Sequence, residues 1–220
     1  MKLAHIKWVF FDIGSTLVDE SVAYRNRILR TIANTDISYD DFDQRMVEIS
    51  KHDQNAYNKA VEAYGLKKVS WNSEDEIKYP EAENVLRELS KRYKIGIIAN
   101  QELGSEQRLD KLGLLKYIDI VIASAEEGIT KPDLRIFQIA LDRANCKPEE
   151  VVMVGDRIDN DIIPANKIGM KTVWLKQGFG SYAEPKTVEE QPDYIVNSLA
   201  EIAELFRRDY DNYIQKTKQE

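Results

Sequence analysis

The apolar positions of this chain change their period along its length. After residue 80, short runs rich in Ile and Val, apolar on successive residues, alternate with stretches whose apolar residues recur every three to four positions. A run apolar on successive residues needs cover on both faces, as in a buried parallel strand, whereas the longer period lays one apolar stripe along a helix. The first pattern predicts strands at Lys7–Asp12, Lys94–Ala99, Ile118–Ala123, Val151–Gly155 and Lys171–Leu175. The second predicts helices at Glu81–Arg92, Ser105–Leu112, Leu134–Asn145, Asp159–Ile168 and Leu199–Tyr210. Their alternation predicts an α/β fold, a Rossmann-like, doubly wound parallel sheet with right-handed crossovers laying helices on both faces.

Residues 18–78 break this rhythm. They contain no proline and one glycine, Gly65, and they carry Ile28, Leu29, Ile32, Met46, Ile49, Tyr57, Val61 and Tyr64 at helical spacing. This predicts a small all-helical domain inserted after the first strand, with residues 1–17 and 79–220 forming the core. Hinges are expected at Leu17–Glu20 and Lys78–Glu81, where Pro80 can open the next helix. The polar tail from Asp209 is expected to fray.

Composition then narrows the function classes. The 220 residues are 43% hydrophobic and 31% charged, ordinary values for a folded protein. A net charge of -7 supplies no positive field for a polyanion, so no nucleic-acid partner is expected. No apolar run approaches the roughly 18 residues that span a bilayer, so no membrane partner is expected. Lys2, His5 and Lys7 interrupt the first residues before a signal-like core develops, which predicts an unprocessed cytoplasmic protein. Cys146 is the sole cysteine, which excludes an intramolecular disulfide and a Cys-rich zinc site; it is expected to pack as a small apolar residue. No G-x-G-x-x-G follows a strand, so dinucleotide redox chemistry is disfavoured.

Ligands of open α/β sheets sit beyond the carboxyl ends of the strands. There this chain carries Asp12 and Thr16 after the first strand, Asn100 after the second, Lys131 after the third, and Asp156 and Asp161 after the fourth. Hard oxygen donors of this kind suit Mg2+, with Asp12, Asp156 and a main-chain carbonyl as a half-shell. The other oxygen of Asp12 is placed to attack phosphorus, forming an aspartyl-phosphate that water hydrolyses. Lys131 and Thr16 would hold the phosphoryl oxygens as charge spreads in the transition state.

At these residues the sequence resembles the haloacid dehalogenase (HAD) superfamily of hydrolases: motif I at Asp12–Leu17, motif II at Ile97–Asn100, motif III at Lys131 and Pro132, and motif IV at Gly155–Asp161. The resemblance implies a Mg2+-dependent phosphatase acting on a small phosphorylated metabolite. The expected partners are that small phosphorylated molecule and at most a second copy of the chain, as a monomer or weak homodimer. Asp12 is then the nucleophile, metal is held by Asp12, the Gly14 carbonyl, Asp156 and Asp161, and the helical insertion is a cap that sets specificity. Two positions depart from the family pattern. Its phosphatases carry a second aspartate two residues after the nucleophile, as general acid and then base; here that residue is Gly14. General acid-base help is worth about 100- to 10,000-fold, so activity is expected to favour good leaving groups such as aryl or acyl phosphates. Motif II usually presents Ser or Thr where this chain has Ala99, so one hydrogen bond to phosphate is either lost or replaced by Asn100. The dehalogenase branch also lacks the second aspartate, so a 2-haloacid dehalogenase is one alternative, although that branch needs no metal and has a Ser-rich motif IV where this chain keeps Asp156. A second alternative is a catalytically weak regulatory or binding protein.

Candidate substrate contacts in the cap are Arg25, Arg27, Arg30, Arg45 and Trp71, each weighed against plain solvation or packing. Asp159 and His52 are read as surface residues, and Trp8 and Trp174 as packing residues. Asp19 and Glu20, at the hinge, could swing in to replace the missing acid.

Overall fold

The computed structural model describes residues 3, 5–52 and 55–217; of the positions named above, Lys2 and the last three residues of the tail lie outside the described residues. The chain opens with β1 (Trp8–Phe11), β2 (Val18–Asp19), the helices α1 (Ser21–Ile32), α2 (Tyr39–Ser50) and α3 (Ala56–Ala63), and β3 (Ile77–Lys78). Then come α4 (Ala82–Leu89), β4 (Lys94–Ala99), α5 (Ser105–Lys111), β5 (Ile120–Ala123), α6 (Ser124–Glu127) and α7 (Leu134–Ala144). It ends with β6 (Val151–Gly155), α8 (Ile163–Ile168), β7 (Lys171–Leu175), β8 (Tyr194–Val196) and α9 (Leu199–Thr217).

Six of the strands form one parallel sheet in the order β5-β4-β1-β6-β7-β8. Its side chains alternate with period two between two apolar layers. Val9, Phe11, Ile97 and Val154 pack under α4 and α9, while Phe10, Ile98 and Met153 pack under α7. Gly96 is a steric requirement of that packing, because a Cβ there would enter the Phe10 ring. From β1 the chain crosses to β4 and β5 on one side, then returns to β6, β7 and β8 on the other. The order reverses beside β1, and register pairs Phe11 with both Ile97 and Val154, so the strand ends at the reversal lie level.

Helices α1, α2 and α3 pack around Ile28, Phe42, Met46, Tyr57, Ala60 and Val61, a second apolar cluster apart from the sheet. They join the rest of the chain through the antiparallel pair β2 and β3, with Val18 opposite Lys78 and Asp19 opposite Ile77. Phe179, in the turn after β7, packs against this cluster from the sheet side.

The five expected strands and the inserted helices are present, with some differences, among them the unexpected four-residue α6. The pair β2 and β3 and the edge strand β8 were not expected: two or three residues carry too short a pattern to be read, and Ile77 and Ile195 are exposed. The stretch Asp159–Ile168 is a π-helical turn over Ile158–Ile162 that passes into α8. The helix does not stop at Asp209; α9 continues to Thr217, with Phe206 packed against the Tyr93 ring and Arg92 over the Tyr210 ring at 4.0 Å. No helix among the described residues is long and apolar enough to cross a membrane.

Candidate active site

The loop after β1 is built around one carbonyl. Asp12 continues the ladder by donating its N-H to the Val154 carbonyl at 2.9 Å, and the amides of Thr16, Leu17 and Val18 then converge on the Ile13 carbonyl at 3.3, 2.9 and 3.0 Å. This tight turn forces Ser15 to φ 52°, a left-handed conformation costly for a side-chain-bearing residue. Gly178 faces Ser15 from the turn after β7; its own φ is 53°, and a Cβ there would lie 2.5 Å from Ser15 Oγ.

Lys131 is the electrostatic centre of the site. Its buried ammonium donates to Asp12 Oδ1 at 2.7 Å and to Asp161 Oδ1 at 2.5 Å. Burial alone would lower the Lys131 pKa, but the two carboxylates more than reverse this and the net direction is upward, so the charge is retained. Asp156 completes the group: one carboxylate oxygen from each of Asp12, Asp156 and Asp161 lies within 4.8 Å of the others. Burial, then the Asp12 and Asp161 charges, push the Asp156 carboxyl well above the usual range. Three carboxylates against one ammonium leave a formal excess of negative charge in a buried place, the electrostatic condition of a cation site.

The remaining sequence candidates are at this strand edge in different capacities. Thr16 is fully buried and aims its hydroxyl at Asp156 Oδ1, 3.5 Å away; it does not line the cavity and so sits behind Asp156, not against a ligand. Asn100 spends its amide on the main chain of Lys131, accepting from the Lys131 N-H at 2.7 Å and donating to its carbonyl at 2.9 Å. These two bonds fix the Lys131 backbone, and Asn100, which also lines the cavity, keeps a second amide N-H beyond them. Ala99 is fully buried in the apolar layer under α4. Asp161 Oδ2 accepts the Arg157 N-H at 3.0 Å, and Gly155 is glycine because a Cβ there would meet that same carboxylate. Asp159 pairs with the Arg157 guanidinium, away from the cluster.

These groups open into a cavity of about 450 Å³ whose far wall belongs to the insertion: Tyr24, Arg27, Trp71 and Glu76. Tyr24 is the keystone of that wall, its ring edge-on to Trp71 at 4.9 Å and to Phe179 at 5.1 Å. Arg27 lies over the Tyr57 ring at 3.7 Å and donates Nε to the Val69 carbonyl at 2.9 Å. Arg25 lies over Tyr39, Arg30 donates to the Ser70 carbonyl, and Arg45 faces Asp36 and Asp41 in a separate shallow groove; none of these three lines the cavity. Trp174 does more than pack, since its indole N-H holds the Asp156 carbonyl at 2.8 Å.

Sequence reasoning missed Glu76, Arg108, Phe179 and Gly180. Glu76 is buried, receives the Trp71 indole N-H at 2.6 Å and pairs with Arg108, a partnership across 32 positions that no local pattern announces. The run Gly178-Phe179-Gly180 did carry a signal, an aromatic bracketed by glycines, and Gly180 lets the chain pass against the Asp156 carbonyl. Glu20, half-buried, points into the cavity and accepts from Ser15 Oγ at 2.9 Å. Burial pushes its carboxyl up to about 7, against the opposing pull of the Ser15 hydrogen bond.

The sequence model of a family described as haloacid dehalogenase-like hydrolase matches residues 6–169. Glyceraldehyde 3-phosphate phosphatase of Pyrococcus furiosus is 32% identical over 231 aligned positions, covering 94% of this chain and 95% of that protein. The protein of the same name from Methanopyrus kandleri is 28% identical over 92% of this chain and 97% of its own. Among solved structures, a HAD phosphatase from Thermococcus onnurineus fits with a TM-score of 0.61 at 24% identity, covering 91% of this chain and 98% of that chain. L-2-haloacid dehalogenase from Xanthobacter autotrophicus fits with a TM-score of 0.65 at 20% identity, covering 92% and 98%. A phosphatase and a dehalogenase both fit, each below 25% identity, so the solved structures speak for the fold alone.

Proposed function

The chain belongs to the haloacid dehalogenase-like hydrolases, and from that premise we propose that it is a phosphatase that hydrolyses a small phosphorylated metabolite of triose-phosphate size through an aspartyl-phosphate on Asp12. The observation that carries this reading is the Lys131 ammonium bridging Asp12 and Asp161 with Asp156 alongside, at the level end of three adjacent strands. In this reading an Asp12 carboxylate oxygen attacks phosphorus. Lys131 holds the nucleophile in place and offers its positive charge to the phosphoryl oxygens. Asp161 orients Lys131, Asn100 fixes the backbone that carries it, and Thr16 orients Asp156. The donor set fits Mg2+: Asp12, Asp156 and the Gly14 carbonyl are hard oxygen ligands in a site with excess negative charge, with Asp161 beside them. Mg2+ held there neutralises the charge of the incoming phosphate and the oxygens that develop charge.

The substrate size follows from the named relatives and from a cavity of about 450 Å³, within the usual range for small-molecule sites. Residues 18–78 act in this reading as the cap, presenting Tyr24, Arg27 and Trp71 to the part of the substrate distant from phosphate.

Phosphate release from glyceraldehyde 3-phosphate and from an aryl phosphate, and chloride release from 2-chloropropionate, test the reading in parallel, each with Mg2+ and with chelator. Phosphate release lost both in chelator and in Asp12→Asn supports it. Chloride release insensitive to chelator would replace it with the dehalogenase alternative. Mg2+-dependent stabilisation without turnover of any substrate would leave a binding protein.

A further inference from the structure

The space above Gly14 is filled. A Cβ at position 14 would lie 2.5 Å from Glu20 Oε1, 2.8 Å from the Glu20 carboxyl carbon and 3.0 Å from Oε2. The carboxyl of Glu20 thus occupies the volume into which any side chain at position 14 would project, two residues beyond Asp12 and on the same cavity. We infer that Glu20 is the general acid and base of the reaction, brought to the site from the root of the insertion and not from the Asp12 loop. This inference rests on the phosphatase reading above.

Three further observations support it. Glu20 stands immediately before α1, where a carboxylate would ordinarily cap the helix, yet its side chain makes no capping bond. Asp19 takes that neighbouring work instead, its Oδ1 accepting the Ser21 N-H at 2.8 Å, and Glu20 is left to turn inward. Inside, its hydrogen-bond partner is neutral: Ser15 Oγ donates to Oε2, and Ser15 is held for this by its left-handed backbone. The other carboxylates of the cavity are committed. Asp12 and Asp161 hold Lys131, Glu76 is paired with Arg108 and Trp71, Asp156 belongs to the cation site, and Glu102 is exposed. Glu20 is the carboxyl free to exchange a proton with substrate.

The step balances as follows. An Asp12 oxygen forms a bond to phosphorus while the ester P-O bond breaks, and the departing oxygen, which takes the bond's electron pair, receives the proton of the Glu20 carboxyl. Glu20, now a carboxylate, takes a proton from water as the water oxygen bonds to phosphorus. The bond from phosphorus to Asp12 breaks, its electron pair returns to Asp12, inorganic phosphate leaves, and Glu20 is protonated again. Alcohol leaving groups thereby become accessible to a chain with glycine at position 14, so the sharp preference for good leaving groups expected from Gly14 alone is withdrawn.

The test compares wild type and Glu20→Gln, which keeps the shape and the acceptor for Ser15. Release of the alcohol in the first turnover is followed for glyceraldehyde 3-phosphate and for dinitrophenyl phosphate, whose leaving group needs no proton. The expected result is a loss of about 100- to 10,000-fold on the alkyl ester and less than about tenfold on the aryl ester. Phosphorylated protein should accumulate with the aryl ester, because the base for the second step is gone. Equal loss on both esters, or no loss on either, would overturn the inference while leaving an active wild type as support for the phosphatase reading. A wild type inactive on both esters fails that reading itself. Gly14→Asp combined with Glu20→Ala supplies a second arm, since the emptied volume can accept the new side chain. Recovery of alkyl phosphatase activity relative to Glu20→Ala alone is expected, and absence of recovery in a double variant that melts like wild type counts against the shared role of the two positions.

Discussion

The sheet edge and the helical insertion solve the problem of burying polar groups in opposite ways. At the sheet edge, Lys131, Asp156 and Asp161 are almost fully buried, and each has a partner from another strand end: Lys131 has Asp12 and Asn100, Asp156 has Thr16, and Asp161 has Lys131. In the insertion, Arg27 and Tyr24 are half-buried and held mainly by aromatic faces and edges. A charge network in a low-dielectric site has one good arrangement, because displacing any member leaves another charge unpaired. Ring contacts near the surface tolerate several. The difference teaches that reaction type is built into the sheet edge, while the shape of what reacts is left to a wall that can vary.

The largest effect should come from breaking the sheet-edge side at Asp12, its proposed nucleophile. Asp12→Asn is expected to reduce phosphate release by at least about 1,000-fold while the protein still melts cooperatively. Next, Lys131→Met removes the cation that two carboxylates share. Stability in chelator should fall by about 3–5 kcal/mol, the usual consequence of stripping one partner from a buried pair. Urea unfolding should show part of this loss recovered by Mg2+, which would take over the charge compensation.

The contrast with the insertion is sharpened by Phe42→Ala. The cavity left in that small cluster should cost about 3–5 kcal/mol. If the cluster is energetically separate from the sheet, amide exchange should accelerate across α1, α2 and α3 and remain slow in β1 and β6. Uniform acceleration would show one cooperative unit instead.

The smallest effect belongs to the junction of the two regions. Glu83 of α4 accepts from Lys78 of β3 at 2.7 Å and from Lys116 at 2.9 Å, and these two lysines hold its carboxyl down at about 2. A depressed pKa contributes stability that is present above the ordinary value of 4.5 and lost as pH falls through about 2. Glu83→Gln should therefore lower the melting temperature slightly at neutral pH, and by progressively less as pH falls through about 2. High salt should reduce the difference, most of all the share from the exposed Lys116.

Legibility in the sequence divides along the same line. Strands such as Val151–Gly155 advertise themselves because each is buried on both faces, and a polar residue that ends such a run, Asp12 or Asp156, stands out against it. The roles of Thr16 and Asn100 were less legible. Their positions are set by the strands, but their partners, Asp156 and the Lys131 backbone, are 140 and 31 residues away, and orientation follows from partners. The arginines of the insertion were not separable by sequence: Arg25, Arg27 and Arg30 fall on one helix, Arg25 and Arg27 both lie over rings, and only Arg27 lines the cavity. Glu20 was legible as a carboxylate near a hinge. That it fills the volume over Gly14 depends on the tight turn at Ile13–Val18 and on the two-residue pairing of β2 with β3, neither of which leaves a periodic trace.

The central claim is that Asp12 carries the phosphoryl group and Glu20 moves the protons. Mass spectrometry of Glu20→Gln, quenched in acid during turnover of dinitrophenyl phosphate with Mg2+, tests both halves at once. The account predicts a phosphate adduct confined to the peptide containing Asp12, abundant in this variant, scarce in wild type and missing in Asp12→Asn. Steady turnover without any adduct, or an adduct on another residue, would contradict it.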